Sequence, residues 1–432
     1  MAAGAVAELA ASAPGRPRIS ARSRAVVILA LLCGAACGAV RPILPREDVL
    51  RVGTSGDYPP FSLRAADGRY DGFDIAVARA YAAARGRRLE LVAFRWPELA
   101  ARLAAGDFDV AMSGVTVRAD RLLTGTMTAA VARADAVLLV CRDDAGRGSF
   151  DRRERRIAVN RGGHLERVAR ARLSGATIVA VDDNRSLPAL LRERKVDAVV
   201  TDTLEAATYD HGAFMIAARL ARDRKAYWVA PGATALADDL DAWLLERERD
   251  GTMSRLRAAY LHNTDASALP PEIARVVDLT ARRLLLMPQV AAAKHAAGLP
   301  LVDPAREAEV VAHAAERATA AGLDAEAARN LARAQIAAAR AVQEAAAADD
   351  ARGASDEVPA LATLRASIDS LDSALVRALR SARGTLATAA PADAQQPAFS
   401  VALRADADLP GFDEPHAGAI AAALVEILRT PR

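Results

Sequence analysis

Short apolar runs alternate with amphipathic stretches between residues 50 and 262. Two amphipathic stretches are typical of helices, DGFDIAVARAYAAARG and the first part of WPELAARLAAGDFDVAMSG, and further helices are predicted near residues 239–249 and 253–261. Strands that alternate with helices predict an α/β domain with crossover connections. The runs predicted to be strands are LRVGTSG, RRLELVAF, IAVNRGG, ATIVAV, VDAVVTD and KAYWVAP.

The pattern changes at the polar segment HNTDASALPP, near residues 262–270, which ends in two prolines as a linker often does. Beyond it the chain is rich in alanine and has helical periodicity, so an all-α domain is predicted. Two polar stretches inside it, 345–358 and 387–397, are predicted to be loops between helices. The expected domains are therefore an α/β domain over residues 45–262 and an all-α domain over residues 268–432.

Composition narrows the range of functions. The 432 residues suffice for two or three domains, and 52% are hydrophobic but only 4% aromatic, which favours helices. The formal net charge of +3 comes from cations interleaved with acids, which argues against a nucleic-acid partner. The cysteines and histidines have no metal-ligand spacing, so neither a metal nor a cofactor is expected.

The N-terminus has the features of a secretory signal peptide. The apolar stretch AVVILALLCGAAC is too short to span a bilayer comfortably, and small residues follow it. We therefore expect cleavage near residues 36–39, a signal peptide over residues 1–39 and a periplasmic protein. Lipid attachment at Cys37 and an uncleaved anchor are the alternatives, and no other membrane association is expected. The charged region before the apolar stretch comprises Arg16, Arg18, Arg22 and Arg24.

Arg283 and Lys294 lie eleven positions apart in TARRLLLMPQVAAAKH. At about 100° per residue, both side chains leave the same face of a single helix, roughly three turns apart. Leu286 and Val290 share that face, so it is predicted to be half-buried. Cations along such a face suit a small dianion, and a solvated basic helix is the alternative.

Four words of the C-terminal half occur in order: RRLLLMPQVAAAKH, LPLVDPAREAEVV, ARAQIAAARAVQ and LRASIDSLDSALV. Over residues 270–432 they resemble the secreted, gamma class of AroQ-type chorismate mutases. The resemblance implies an all-α chorismate mutase domain that converts chorismate to prephenate. It also implies that Arg283, Arg306 and Arg365 hold carboxylates. Lys294 and Gln343 would face the ether oxygen of the substrate.

These residue types suit a Claisen rearrangement, which needs no nucleophile, metal or proton transfer. It needs a compact conformer of chorismate and a donor for the charge that develops on the ether oxygen. Arginines clamp carboxylates, and a lysine and an amide suit the oxygen. Asp303 is predicted to cap a new helix, with Pro304 at its first position. Gln335, Ala339 and Gln343 share a helix face, so Gln343 is expected to point into a bundle core.

The α/β half has words of its own: SGDYPPFS (55–62), GFDIAVA (72–78), WPELAARLAAGDFDVAMSG (96–114), VNRGGHLE (159–166) and VTDTLEA (200–206). Over residues 48–262 they resemble the family 3 periplasmic solute-binding proteins, and within that family the periplasmic cyclohexadienyl dehydratases. The resemblance implies two α/β lobes that are joined by crossing strands and close over a ligand. It also implies dehydration and decarboxylation of prephenate to phenylpyruvate, with arogenate as an alternative substrate.

The same resemblance assigns residues to the cleft between the lobes. Arg121 stands where the family clamps a ligand carboxylate, and a surface ion pair with Asp120 is the alternative. Asp202 stands at the position of an acid that binds a ligand amine. Glu205 stands at the position of the general acid of the dehydratases, and a helix-start carboxylate that satisfies backbone amides is the alternative. Three further residues are expected to contact the substrate: Asp57, Ser113 and Trp96. Trp96 and Tyr58 could stack on the substrate ring, and the alternative is that both are core or rim aromatics that need no ligand.

Two departures from the family pattern bear on activity. His164, Leu165 and Glu166 replace a Thr-Asn-Glu or Thr-x-Glu word, so an orienting amide is missing at Leu165. MTAAV, over residues 127–131, replaces an F-S-x-P-Y word. His164 is either a substitute donor or a surface histidine.

The sequence therefore predicts an exported enzyme of phenylalanine biosynthesis whose two activities act on consecutive small-molecule substrates, chorismate and prephenate. The alternative is an active mutase beside a receptor domain that only binds a small carboxylate. Leu165 favours the receptor, and Glu205 favours the enzyme. A wholly non-catalytic binding module is the third option, against which the set of Arg, Lys and Gln residues argues. The sequence leaves the oligomeric state open.

Overall fold

The computed structural model describes residues 48–144, 146, 148–262, 269–350, 358–383, 385 and 392–429. Within these ranges an α/β part of two lobes precedes an all-α part, as the sequence predicts. The predicted signal peptide, with Cys37, lies outside the described residues, as does most of the segment 262–270. No helix in the described ranges is both long and apolar enough to cross a membrane.

The strands all belong to the α/β part of the described chain. They are β1 (Val49–Thr54), β2 (Asp57–Tyr58), β3 (Ser62–Arg64), β4 (Tyr70–Asp71), β5 (Arg88–Ala93), β6 (Val110–Ala111), β7 (Thr126–Met127), β8 (Ala132–Cys141), β9 (Arg156–Asn160), β10 (Thr177–Val181), β11 (Ala198–Asp202), β12 (Phe214–Lys225) and β13 (Trp228–Val229). The first lobe has the sheet order β5-β1-β6-β13-β7, the second has β10-β9-β11-β8-β12, and β2-β3-β4 form a small sheet. β1 and β11 are buried almost throughout, which is why they are apolar runs in the sequence.

Helices cover these sheets. They are α1 (Phe73–Ala84), α2 (Leu99–Ala104), α3 (Ala119–Thr124), α4 (His164–Arg172), α5 (Leu187–Arg192), α6 (Thr203–Ala206), α7 (Thr234–Arg249) and α8 (Thr252–Tyr260). α1 begins after Gly72, whose φ of 125° suits only glycine, and a Cβ there would lie 2.4 Å from the Phe61 carbonyl oxygen. This turn sets Asp74 in the core of the first lobe, where its carboxylate accepts a hydrogen bond from Gly114 N at 2.5 Å.

β8 and β12 connect the two lobes. The chain leaves the first sheet after β7 and enters the second as β8, and it returns through β12 to β13. The two strands are antiparallel, with Arg224 opposite Arg133 and Lys225 opposite Ala132. These are the crossing strands that the family resemblance implies. The middle of β12 is exposed and charged, so the strand has no continuous apolar run in the sequence.

The all-α part consists of α9 (Pro271–Leu285), α10 (Met287–Ala296), α11 (Pro304–Ala320), α12 (Ala325–Asp350), α13 (Leu361–Ala382), α14 (Ala392–Asp406) and α15 (Glu414–Arg429). Its core is continuous, and small alanine side chains let the helices approach closely. Asp303 caps α11 by accepting a hydrogen bond from Arg306 N at 3.0 Å, as predicted. Members of the core include Ile273, Val276, Leu331, Phe399 and Leu424.

Three local predictions were wrong. Arg283 and Lys294 do not share one helix, because α9 ends at Leu285 and α10 begins at Met287. Pro288 has no N–H for the carbonyl four residues earlier, which explains the break. The segment 345–358 is helical as far as Asp350, and the segment 387–397 is helical from residue 392 onward, although Pro397 lies inside α14. Alanine in these segments stabilises helix enough to outweigh their polar character.

Candidate active sites

A buried cluster of polar side chains lies where the two lobes meet. Its centre is Lys225, at the end of β12, whose side chain is 2% exposed. The Lys225 Nζ atom is 2.6 Å from Asp223 Oδ2, 3.0 Å from Asp202 Oδ2 and 2.9 Å from the Tyr58 hydroxyl. Because Asp202 belongs to the second lobe and Tyr58 to the first, this ammonium group bridges the lobes.

Asp202 ends β11 and caps α6. Its Oδ1 atom accepts hydrogen bonds from the backbone N–H groups of Leu204 at 2.9 Å and Glu205 at 2.8 Å. Its Oδ2 atom accepts a hydrogen bond from Tyr58 and faces Lys225. The carboxylate that was expected to bind a ligand amine is therefore already paired with an ammonium group of the protein.

Glu205 lies one turn into α6 and is 1% exposed. Its carboxyl oxygens accept hydrogen bonds from side chains: Asn184 Nδ2 donates to Oε1, and Thr201 Oγ1 donates to Oε2 at 2.5 Å. Burial, with Asp202 and Asp57 nearby, raises the pKa of Glu205 well above its ordinary value. The carboxyl group therefore keeps its proton to a higher pH than an ordinary glutamate does, as a proton donor requires.

Arg121 is buried on α3 at the same junction. Its Nη1 atom donates to the Thr116 carbonyl at 2.7 Å, and its guanidinium lies 5.4 Å from the Trp228 ring centroid. Asp120 pairs with Arg118 instead, with Nε to Oδ1 at 2.9 Å. The ion pair with Asp120 considered for Arg121 is therefore absent from this part of the described chain, and the guanidinium is close enough to Asp223 to influence its charge environment.

The other residues expected to contact the substrate lie on the first lobe. The half-buried Trp96 packs edge-on against Tyr58, with 5.7 Å between the ring centroids. Asp57 is close enough to Glu205 to raise its pKa, and Asp57 Oδ1 is buried with no hydrogen-bond partner among the described residues. Ser113 bonds to the Ser55 hydroxyl at 2.9 Å and so braces a loop. Trp96 and Asp57 thus adjoin the cluster, whereas Ser113 is engaged with its neighbour.

The three residues that replace the family word at positions 164–166 lie in different environments. His164 begins α4, and its Nε2 atom is buried without a hydrogen-bond partner in the described part of the chain. Burial lowers the pKa of His164 to about 4, so the imidazole is neutral at neutral pH. Leu165 is buried in the core of the second lobe, and Glu166 bonds to Gly162 N at 2.6 Å on the surface. Of the three, His164 is the one that can serve a ligand as a donor.

A second polar cluster lies between the helices of the all-α part. Lys294 Nζ donates to Gln343 Oε1 at 3.2 Å and to the Leu301 carbonyl at 2.5 Å. Gln343 is buried, as is Gln335 two turns earlier on α12, whose Nε2 atom has no hydrogen-bond partner among the described residues. Burial lowers the pKa of Lys294, and the nearby Arg365 adds to this effect. Two donors therefore converge from different helices.

The arginines of this cluster differ in their partners. The buried Arg283 places Nε 3.1 Å from Asp372 Oδ1, while its Nη1 atom has no hydrogen-bond partner within the described residues. The exposed Arg365 is close to Lys294. Arg306 pairs with Glu309 on its own helix, with 2.8 Å between Nη1 and Oε2. Lys294, Gln343 and Arg365 therefore lie together, whereas Arg306 has no direct contact with them.

Sequence reasoning missed several residues of these clusters. Lys225 is only the first residue of the predicted strand KAYWVAP, and Asp223 lies outside it, although charges beside the apolar word AYWV are a signal of a buried polar site. Asn184 and Thr201 gave no signal, because amides and hydroxyls are common on surfaces. Asp372 lies inside the word LRASIDSLDSALV, yet its contact with Arg283 depends on how α13 packs on α9.

A cavity of about 2140 Å³ lies between the α/β part and the helices. None of the predicted site residues is among those that line it, so it is a feature separate from both clusters. Its lining includes Leu122, Thr203, Arg219, Asp238, Ser370 and Val401.

Comparisons with known proteins match each part of the chain separately. The family model of the bacterial extracellular solute-binding proteins, family 3, matches residues 50–263, and that of chorismate mutase type II matches residues 274–344. Cyclohexadienyl dehydratase of Pseudomonas aeruginosa is 34% identical over 190 residues, which cover 42% of this chain and 71% of that protein. An L-cystine-binding protein of Escherichia coli is 25% identical over 214 residues, 48% of this chain and 80% of its own length.

Among solved structures, an ancestral amino acid-binding protein described as a precursor of cyclohexadienyl dehydratase is 30% identical. The match covers 50% of this chain and 96% of that one, with a TM-score of 0.48.

Proposed function

This chain belongs to the bacterial extracellular solute-binding proteins of family 3 and continues into a chorismate mutase type II domain, and we propose on this basis that it catalyses two consecutive reactions. The helical domain rearranges chorismate to prephenate. The two-lobed domain then removes water and CO₂ from prephenate to give phenylpyruvate. The product of the first domain is the substrate of the second, which gives the fusion a chemical reason.

The mutase step is supported by the pair of donors at Lys294 and Gln343. Their side chains meet at 3.2 Å, and a lysine and an amide can together stabilise negative charge on an ether oxygen. Arg283 has a buried Nη1 atom without a protein partner in the described chain, so it can bind a carboxylate of chorismate. Arg365 would bind the other carboxylate. Arg306 would have to leave Glu309 to take part.

The dehydratase step is supported above all by Glu205. A fully buried carboxyl group with a raised pKa, held by Asn184 and Thr201, is a suitable proton donor for the departing ring hydroxyl. The proton leaves Glu205 with that hydroxyl as water, and the electrons of the breaking carboxylate bond form the aromatic ring. Arg121 would hold the remaining side-chain carboxylate. His164 Nε2 provides a further contact in the same region.

The pairing of Lys225 with Asp202 favours prephenate over arogenate. In this arrangement the charge of Asp202 is balanced by an ammonium group of the protein, with 3.0 Å between Nζ and Oδ2. A ligand amine would have to compete for that carboxylate, whereas the keto group of prephenate does not. The same pairing argues against a receptor for an amino acid.

Replacing Lys225 with methionine should therefore change substrate preference. Without the ammonium group, Asp202 can bind a substrate amine, so the ratio of kcat/KM for arogenate to kcat/KM for prephenate should rise at least about tenfold. Both constants are measured on one preparation, which makes the ratio insensitive to the fraction of active protein. A ratio equal to that of the unsubstituted protein would show that Lys225 does not control the amine.

We also propose where the protein is located and where its two domains meet. Family 3 proteins are extracellular, and with the charged and apolar N-terminus this supports a periplasmic enzyme that is exported by a signal peptide over residues 1–39. The boundary between domains would lie within residues 262–268.

A fragment from about residue 266 onward should fold as a helical protein and convert chorismate by itself. All but one of the buried members of their core belong to the all-α part itself, the exception being Ala119 of α3. The ion pairs that the helices make with the lobes become hydrated when the lobes are removed. Circular dichroism and chorismate turnover test this. A fragment without helicity or activity, beside an active full-length protein, would mean that the two domains form one cooperative unit.

The experiment that separates enzyme from receptor uses prephenate alone. Purified protein should convert it to phenylpyruvate faster than buffer does, with saturation kinetics. Protein that binds prephenate, as shown by calorimetry, without accelerating its decay would support the receptor instead.

A further inference from the structure

The strand β12 presents alternate side chains to two different parts of the molecule. Asp223 and Lys225 lie on one face and enter the cluster in the cleft, where Thr116 Oγ1 donates to Asp223 at 3.1 Å. Arg224 points to the opposite face, as the pleat requires, and it is buried as well. The two cleft residues therefore flank a residue that must find its partner outside the cleft.

That partner is a carboxylate of the helical domain. Arg224 Nη1 is 2.6 Å from Oδ1 of Asp278 on α9, and the two side chains are only 7% and 3% exposed. Asp278 also pairs with Arg282 at 2.8 Å and with Arg275 at 3.0 Å. Burial alone would raise the pKa of Asp278, but the three arginines lower it to about 2, so the carboxylate stays charged.

The helical domain holds the neighbouring strand as well. Arg133 of β8 lies directly opposite Arg224 in the ladder, and its Nη2 atom is 2.8 Å from Asp406 Oδ2 on α14. Just before β8, Arg282 Nη1 donates to the Met127 carbonyl at 2.7 Å. Both strands that join the lobes are thus fixed to the helices at the rung next to the cleft.

We propose that Asp278, a residue of the mutase domain, is a positioning residue for the dehydratase site. It fixes Arg224, and through the backbone of β12 it fixes Asp223 and Lys225, which set the charge around Asp202 and Glu205. The inference rests on the proposed dehydratase function. The mutase site needs no such help, because Arg283, the neighbour of Arg282, pairs with Asp372 inside the helical domain.

The test uses full-length Asp278→Asn, Arg224→Met and the double variant. For each variant, kcat and KM are measured with prephenate. The turnover of chorismate is measured on the same preparation and reports how much of the protein is folded. Asp278→Asn should lower the dehydratase kcat roughly tenfold or more, since small displacements near a reacting centre are costly, with KM changed less. The mutase rate should stay within about twofold of the unsubstituted protein.

The two single substitutions remove the same ion pair, so the double variant should be no slower than the slower single one. Arg224→Lys retains a cation and should recover part of the rate. Glu272→Gln is the matched control, because it removes a different pair between α9 and the lobes, Arg249 with Glu272 at 2.6 Å, away from the crossing strands. It should leave both activities unchanged. If Asp278→Asn fails to fold, Arg224→Met and Arg224→Lys provide the same comparison from the other side.

Three results would overturn the proposal: an unchanged dehydratase rate, equal loss of both activities, or effects of the two substitutions that multiply. Protein that never turns over prephenate is a separate result, which would remove the proposed function and the positioning role with it.

Discussion

Replacing Glu205 with glutamine should slow the formation of phenylpyruvate from prephenate by about 10² to 10⁴, the usual worth of general acid catalysis. Glutamine keeps the size of the side chain and can still bond to Asn184 and Thr201, but it has no proton to give. Prephenate should bind to the variant nearly as well as before. Rapid quench of prephenate consumption, with calorimetry for binding, measures both quantities.

The pH dependence gives an independent signature of the same group. Because burial raises the pKa of Glu205, the acid keeps its proton to a higher pH than an ordinary carboxyl group and loses it as the pH rises through that raised value. The dehydratase kcat should therefore fall on the alkaline side in the unsubstituted protein. This alkaline limb should be missing in Glu205→Gln.

Arg121→Ala is the comparison variant for Glu205→Gln. It removes a buried cation that is expected to hold a carboxylate and not to transfer a proton, so it should raise KM more than it lowers kcat. If Glu205→Gln is as active as the unsubstituted protein, Glu205 is not the acid.

Replacing Lys294 with alanine should lower the mutase kcat by on the order of 10² or more. The ammonium group is needed at the moment when the ether bond breaks, and Gln343 alone is an uncharged donor. The fold should survive, because Lys294 is half-buried and is not a member of the apolar core. Initial rates of chorismate consumption, with circular dichroism to check folding, test this.

The adjacent exposed residue offers a matched control for Lys294→Ala. His295→Ala changes the next position of α10 without touching Gln343, and it should leave the mutase rate unaltered. Equal rates for folded Lys294→Ala and the unsubstituted protein would remove Lys294 from the proposed mechanism.

The elements that could be predicted are those whose burial pattern is uniform. β1, β9 and β11 are apolar because both faces of their sheets are covered, and α1 has an amphipathic pattern that ends near Gly86. β12 could not be found in this way, since it is largely exposed in the middle and its buried C-terminal end is charged. The end of α12 and the start of α14, which lie in segments predicted to be loops, could not be found because alanine leaves little periodic signal.

Some residues of the two sites could also be predicted from the sequence, and others could not. Residues inside family words, such as Glu205, Asp202, Lys294 and Gln343, could be named in advance, although their roles stay predictions. Lys225 could not be, because its importance depends on the pairing of β12 with β8 and on the approach of the second lobe. The role proposed for Asp278 could not be predicted from the sequence either, because it depends on the packing of one domain against the other, which no local pattern encodes.

Whether one chain performs both reactions is decided by supplying purified full-length protein with chorismate and following prephenate and phenylpyruvate together. Prephenate should rise briefly, and phenylpyruvate should then accumulate until it equals the chorismate consumed. In Glu205→Gln, prephenate should accumulate instead. Prephenate that accumulates with the unsubstituted protein and decays no faster than in buffer would show that the chain has no dehydratase activity.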